Sequence, residues 1–403
     1  MINLLLWENL KLKFLKLLKI KINPFNNFVA TGEIEEILDF VDSRKNLLES
    51  LITIINENEN FILPVIGEIG VGKTHLFWAL KKILKEKYNI IYISLDNIYR
   101  KFYYNLYSEF IEELGIDNLR IITQELCNKW SGLEKKYGFF PVPDIENARQ
   151  NAFNEWKDMF EDNKSLNDII NVITSHQLDP YKRIDAEDYI LGELMNIREL
   201  SMLDVEKDLR DKNNAFIMLK VLIENSKLGT IIFIDDFDKI ISLMREEDEI
   251  ETFFDSSWLY GADESSDSVV AKNILNKISK LQNIKKLKKI ITLNSINSLD
   301  EIKKLFRQEN DNLLNSLKEP LYLSNFKEKD IYNFYKTSIR KFLESINSSE
   351  ILVDLKNPYY PLNKDIIKKI YNKTNGKPRD IIKILIRIFN DIIFYDKIID
   401  KVN

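Results

Sequence analysis

At 403 residues the chain is too long for one ordinary domain and suits two or three. Hydrophobic residues make up 45% and charged residues 30%, enough for a large buried core, while 58 Lys+Arg against 63 Asp+Glu leave a net charge of -5, which argues against a general polyanion binder. No apolar run approaches the roughly 20 residues of a membrane span. One cysteine, Cys127, cannot form an internal disulfide, and two histidines leave little for a zinc site, so the expected setting is a reducing cytoplasm.

The N-terminus places Lys11, Lys13, Lys16, Lys19 and Lys21 among leucines. These lysines interrupt the apolar stretch and no small-residue cleavage site follows, so residues 1–37 read as a helical extension, not a targeting signal. Short β-rich runs then alternate with helical ones, the pattern of a parallel sheet with crossover helices. Strands are expected at Phe61–Ile66, Ile90–Leu95, Thr230–Ile234, Ile290–Leu293 and Leu321–Leu323. Pro64 donates no ladder hydrogen bond, so regular pairing should start after it or bulge at it.

Two stretches exceed a minimal strand–helix repeat. Residues 97–228 are long, aromatic and helical in pattern, with Trp130, Trp156 and a Pro141-Val142-Pro143 break, and read as an inserted helical subdomain. Residues 246–267 carry nine acids and no base, the composition of an exposed loop. After Ser324 only helical segments are evident, near 325–345, 363–374 and 378–397, forming a small helical domain. The expected domains are therefore 1–37, 38–323 and 324–403.

The strongest chemical signal is Gly67-Glu68-Ile69-Gly70-Val71-Gly72-Lys73-Thr74. Glycines let successive backbone N–H groups curl around phosphate oxygens, and the following helix points its positive end at them. Lys73 would reach the β- and γ-phosphates of ATP, and the Thr74 hydroxyl would ligate Mg²⁺. An apolar strand precedes the loop and an amphipathic helix follows it. The alternative is a merely tight glycine turn.

Next comes the strand ending Asp235-Asp236-Phe237-Asp238. Acids at the tip of a buried strand are costly unless they meet a cation or donors. Beside a phosphate loop, Asp235 suits the Mg²⁺ shell and Asp236 could polarise the attacking water. Asn294, directly after the fourth strand, could orient that water or touch the γ-phosphate; by itself it is more often a turn residue. In Gly376-Lys377-Pro378-Arg379, Pro378 suits a helix start. Arg379 near a helix N-terminus gains nothing from the dipole, so an anionic partner or solvation would have to hold it. His75 and His176 read as structural.

This order of motifs resembles the AAA+ ATPases, and within them the origin-recognition and replication-initiator group and the related STAND ATPases. The resemblance covers roughly residues 38–96, 228–245 and 285–395. It implies an α/β P-loop NTPase fold: a parallel five-stranded sheet carrying the large insertion, and a C-terminal helical lid domain. It further implies Walker A at Gly67–Thr74, Walker B at Asp235 and Asp236, sensor 1 at Asn294 and sensor 2 at Arg379. Asp42-Ser43-Arg44-Lys45-Asn46-Leu47-Leu48 is similar to the box that precedes the first strand in that group, and Arg44 would line the adenine pocket. Arg307 is the arginine-finger candidate by position, being the sole arginine between the fourth and fifth strands; otherwise it is an exposed helical arginine. Three departures matter. Initiators usually have Asp-Glu where this chain has Asp235-Asp236; aspartate is one methylene shorter, so slow hydrolysis is expected. Only 24 residues follow Arg379, too few for the initiators' winged-helix DNA-binding domain. The insertion is not typical of initiators, and a similar helical block occurs in P-loop proteins of some phage-defence systems.

Seven lysines (272, 277, 280, 285, 286, 288 and 289) fall between Val269 and Leu299 with no acid among them, and Lys364, Lys368, Lys369, Lys373, Lys377, Lys383 and Arg387 follow later. Such patches could bind DNA backbones, although solvated lysine faces are common and the acidic loop lies next in sequence. Two functions are therefore carried forward. One is an ATP- and Mg²⁺-dependent ATPase, initiator-like, on DNA. The other is a nucleotide-dependent switch or scaffold that binds a protein partner through the insertion, without DNA. A protein partner or a homo-oligomer is expected, and no membrane association. A small-molecule kinase would leave Asn294 and Gly376–Arg379 without a purpose.

Overall fold

The computed structural model describes residues 16–17, 23–26, 41–95, 101–131, 144–243, 267–309, 311–346 and 357–395. Most of the expected N-terminal extension, the Pro141–Pro143 break and residues 246–266 of the acidic loop lie outside them. The fold is α/β. Five strands, β1 (Ile62–Ile66), β2 (Tyr88–Ser94), β3 (Gly229–Asp235), β4 (Leu287–Leu293) and β5 (Leu321–Tyr322), form one parallel sheet in the order β2-β3-β4-β1-β5. Among the described residues no helix is long and apolar enough to cross a membrane.

The strands are apolar because both faces are covered, as parallel sheets require. Every residue of β1 and β4 is buried, and β3 is buried from Thr230 to Asp235. Pro64 sits inside β1. Register with β5 begins one residue past it, at Val65↔Leu321, while Ile62 meets Leu317 in an isolated bridge. β4 starts three residues earlier than its apolar run, and so takes in Lys288 and Lys289. Their Nζ atoms donate to the Asn58 carbonyl and to Asn60 Oδ1, each at 2.8 Å, which lets two lysines lie in a buried strand.

The chain divides into two compact units. The first comprises the described residues up to Glu57, then Val65–Lys82, then Pro320 onward. The expected cut between 323 and 324 falls inside this unit. It contains the helix Asp42–Glu57, the glycine loop, and three C-terminal helices, Glu328–Ser345, Lys364–Thr374 and Pro378–Tyr395. Isoleucines at helical spacing (Ile366, Ile367, Ile370, Ile381) face a core that also takes Tyr335 and Phe389. Phe25, far away in sequence, fills the same core, stacked 5.8 Å from Tyr335 and edge-on 5.0 Å from Phe389. Asn23 fastens this segment by donating to the Ile386 carbonyl at 2.8 Å.

The second unit comprises Asn58–Pro64 and Ile83–Glu319. Its insertion is helical, with seven helices between Phe102 and Asn225 among the described residues. Four of their starts carry a side-chain cap, among them Asp162, which accepts from the Lys164 and Ser165 amides, Asp211, which accepts from Asn213 and Asn214, and Asn196, which forms a capping box with Glu199. Trp130 packs edge-on to Trp156 at 4.7 Å in its core. His176 is fully buried between Thr123 and Glu187, and burial lowers its pKa. It is a structural histidine.

Candidate functional site

The first unit carries the glycine loop. Gly70 and Gly72 have φ of +89° and +106°, a region that side-chain-bearing residues rarely adopt. Gly67 is glycine for space: a Cβ there would stand 2.7 Å from Val71 Cγ2 and 2.8 Å from the Leu323 carbonyl. A helix, Lys73–Leu84, begins directly after Gly72.

Five of the six carbonyls from Gly67 to Gly72 have identified donors. Gly67 O accepts from Lys73 Nζ at 2.6 Å, Glu68 O from the Val71 amide, and Gly72 O from the Leu76 amide. Gly70 O accepts from the Arg379 amide at 3.1 Å, and Val71 O from Arg44 at 3.0 Å. An anion in such a loop binds amides, so these donors do not compete with it. They hold the loop's shape from the carbonyl side.

Arg44 is buried and its guanidinium is engaged by backbone. The same nitrogen that reaches Val71 O also donates to the Ser324 carbonyl at 2.5 Å, and the group lies 5.4 Å from the Phe326 ring centroid. Burial lowers its pKa to about 10, partly opposed by Asp330. His75, half-buried in the helix after the loop, is held down to about 4, by burial and then by the Arg44 charge. The Arg379 side chain is exposed and runs along Gly70, to whose Cβ position Arg379 Cβ and Lys377 Cε come within 3.0 and 3.3 Å. Thus Lys73, Lys377 and Arg379 gather at one loop. The sequence offers Lys377 only as a DNA-backbone contact, and its approach to the glycine loop depends on the chain folding back onto Gly70.

The second unit carries the acids. Asp235 is the buried last residue of β3. Tyr92 of β2 donates to its Oδ2 at 2.8 Å, and Thr292 of β4 donates to its Oδ1. Asp236 turns into the left-handed region at φ 56°, which aspartate tolerates better than most residues. Its amide donates to Asp235 Oδ1, and its Oδ2 accepts from Ser94 Oγ at 2.9 Å. Asn294 is half-buried directly after β4, and its amide donates to Asp238 Oδ2 at 2.9 Å. Asp238 therefore fixes the Asn294 turn. Arg307 is exposed on the helix Ile296–Glu309.

The structure thus brings Gly67–Thr74, Arg44 and Arg379 together in one unit, and Asp235, Asp236 and Asn294 together in the other. A magnesium ion at such residues would take few protein ligands and complete its shell with phosphate oxygens and water, as that ion prefers. Among the described residues no group of three or more His, Cys, Asp or Glu gathers as a metal site. Of the seven lysines between Val269 and Leu299, Lys288 and Lys289 belong to the buried interior of β4 and Lys277 is half-buried. No protein-family model matches the chain, and no curated protein is significantly similar to it.

Proposed function

We propose that the chain is an AAA+-like P-loop ATPase that binds ATP or ADP with Mg²⁺ through Gly67–Thr74 and hydrolyses ATP slowly. The observation that carries this reading is the loop itself: two left-handed glycines ahead of a helix, with Lys73 folded back onto Gly67 O. In this reading Lys73 and the loop amides bind the phosphates. Thr74, in the loop's own unit, would hold the ion, which screens phosphate charge when bound, and Asp235 is the acid that the resemblance assigns to the ion. Asp236 and Asn294 orient water, and Arg379 meets the γ-phosphate. Arg307, on an exposed helix face, is the group offered to a neighbouring copy. Support also comes from the sheet order, in which β1 has the late strands β4 and β5 on its two sides. Connections there diverge, and ligands of open α/β sheets favour such points, outside the strands' carboxyl ends.

Calorimetry on the nucleotide-stripped chain tests the reading. We expect Mg-ATP uptake that Lys73→Ala removes, and slow turnover that Asp235→Asn removes while nucleotide binding survives. Absence of ATP and ADP uptake by the unaltered chain would end it.

A second reading concerns the partner. The partner reading rests on the insertion, where Tyr181, Ile184, Leu194 and Ile197 are 94%, 75%, 69% and 85% exposed. Burial of Lys288 and Lys289 thins the first lysine patch that would serve DNA. A salt-dependent gel shift on duplex DNA tests the DNA partner: a shift at low salt that weakens as salt rises supports it, and no shift at low salt removes it.

A further inference from the structure

We infer that Arg44 is a positioning residue that makes the glycine loop and the start of the C-terminal helical segment one mechanical body, so that nucleotide bound at the loop orders that segment. This rests on the phosphate-loop reading above for its ligand, but not for its mechanical part.

The geometry is a closed circuit within one compact unit. One Arg44 guanidinium nitrogen bridges Val71 O of the loop and Ser324 O, one residue past the point where the Leu323 amide bonds to Ile66 O at 2.7 Å. Two residues on, the Phe326 amide donates to Gly376 O at 2.8 Å. From Gly376 the chain runs through Lys377 to Arg379, whose amide returns to the loop at Gly70 O. The loop is therefore gripped twice, by a side chain at Val71 and by a backbone amide at Gly70, and both grips lead to the same C-terminal segment.

The circuit leaves little slack. A Cβ on Gly376 would stand 2.2 Å from the Phe326 carbonyl, so the backbones touch there. Arg44 is itself located from behind: Ser43 Oγ donates to Asp330 Oδ2 at 3.0 Å, the Lys327 amide donates to the same oxygen at 2.9 Å, and Phe326 covers the guanidinium face. An arginine that serves only as a surface cation needs neither burial nor two carbonyl acceptors. Removing it leaves two carbonyls without this donor, a loss concentrated at the two places that the circuit joins. Because a single nitrogen makes both contacts, an ammonium group can replace part of its function.

Hydrogen exchange of the full-length chain, with and without Mg-ATP, tests this on Arg44→Met and Arg44→Lys. In the unaltered chain Mg-ATP should slow exchange in residues 67–74 and also in 323–327. In Arg44→Met both segments should exchange about tenfold faster without nucleotide, and protection by Mg-ATP should stop at the loop. Mg-ATP affinity should fall about tenfold, with Arg44→Lys between the two. A merely structural arginine would lower the melting temperature and leave the joint protection of the two segments intact. If Arg44→Met fails to fold, Arg44→Lys alone decides, by a smaller loosening shared by both segments. The inference is overturned if exchange of 67–74 and 323–327 matches the unaltered chain, or if only one segment loosens. If the unaltered chain takes up no nucleotide, the ATP reading fails while the nucleotide-free exchange still judges Arg44.

Discussion

The Tyr92 hydroxyl stands 2.8 Å from Asp235 Oδ2, reaching from β2 to the end of β3, while Thr292 reaches the other carboxylate oxygen from β4. Donors on both sides fix the plane of a buried carboxylate, as outer-shell partners do around metal ligands. Tyr92→Phe and Thr292→Val should each lower Mg-dependent turnover about tenfold, and leave nucleotide affinity without magnesium unchanged. Single-turnover hydrolysis alongside calorimetry checks this.

Gly70→Ala should remove nucleotide binding and cost about 1–3 kcal/mol of stability. Its φ of +89° strains any side chain, and the new Cβ would press on Arg379 Cβ at 3.0 Å. Gly376→Ala, whose Cβ would meet the Phe326 carbonyl, should cost more. Urea denaturation ranks the two.

Lys289 makes stability depend on pH on the alkaline side. Burial lowers its pKa from 10.5 to about 7. Between those values the unfolded chain binds the proton and the folded chain does not, so stability rises as pH rises through that window. Lys289→Met should flatten the rise, on the order of a few kcal/mol across the window. Denaturation midpoints from pH 6 to pH 9 measure it.

His75 acts at the acid end, lowered from 6.5 to about 4. The unfolded chain protonates first as pH falls through 6.5, so this contribution to stability declines from there toward pH 4. His75→Gln should lessen the acid sensitivity, and in NMR the His75 ring should remain neutral at pH 5.5.

Cys127 is buried, and burial pushes its thiol up to about 12. The native chain should resist a thiol reagent such as DTNB at pH 8 and react stoichiometrically once unfolded in guanidinium.

The strands were legible because β-branched apolar runs bounded by Gly67, Gly229 and the Asp235 turn have few other uses. β4 was read short because Lys288 and Lys289 look like surface residues. Only the Asn58 carbonyl and Asn60 side chain, distant in sequence, make their burial affordable. The helical insertion was legible from its length and helical pattern, and among its described residues Asp162, Asn196 and Asp211 are local caps, each acting within three residues.

Local chemistry therefore settled much from sequence alone: the parallel strands, the helical insertion, the glycine loop and the acidic strand end. Each depends on neighbours a few residues away, which the order of residues displays directly. Tertiary structure decided what the side chains do. Arg44 bridges two backbone carbonyls, Arg379 and Lys377 lie along Gly70, Asp238 holds the Asn294 turn, and Phe25 completes a core made mostly by residues more than 300 positions later. Those partners meet through chain folding, and no spacing within a motif encodes which distant carbonyl or ring will be there to receive them.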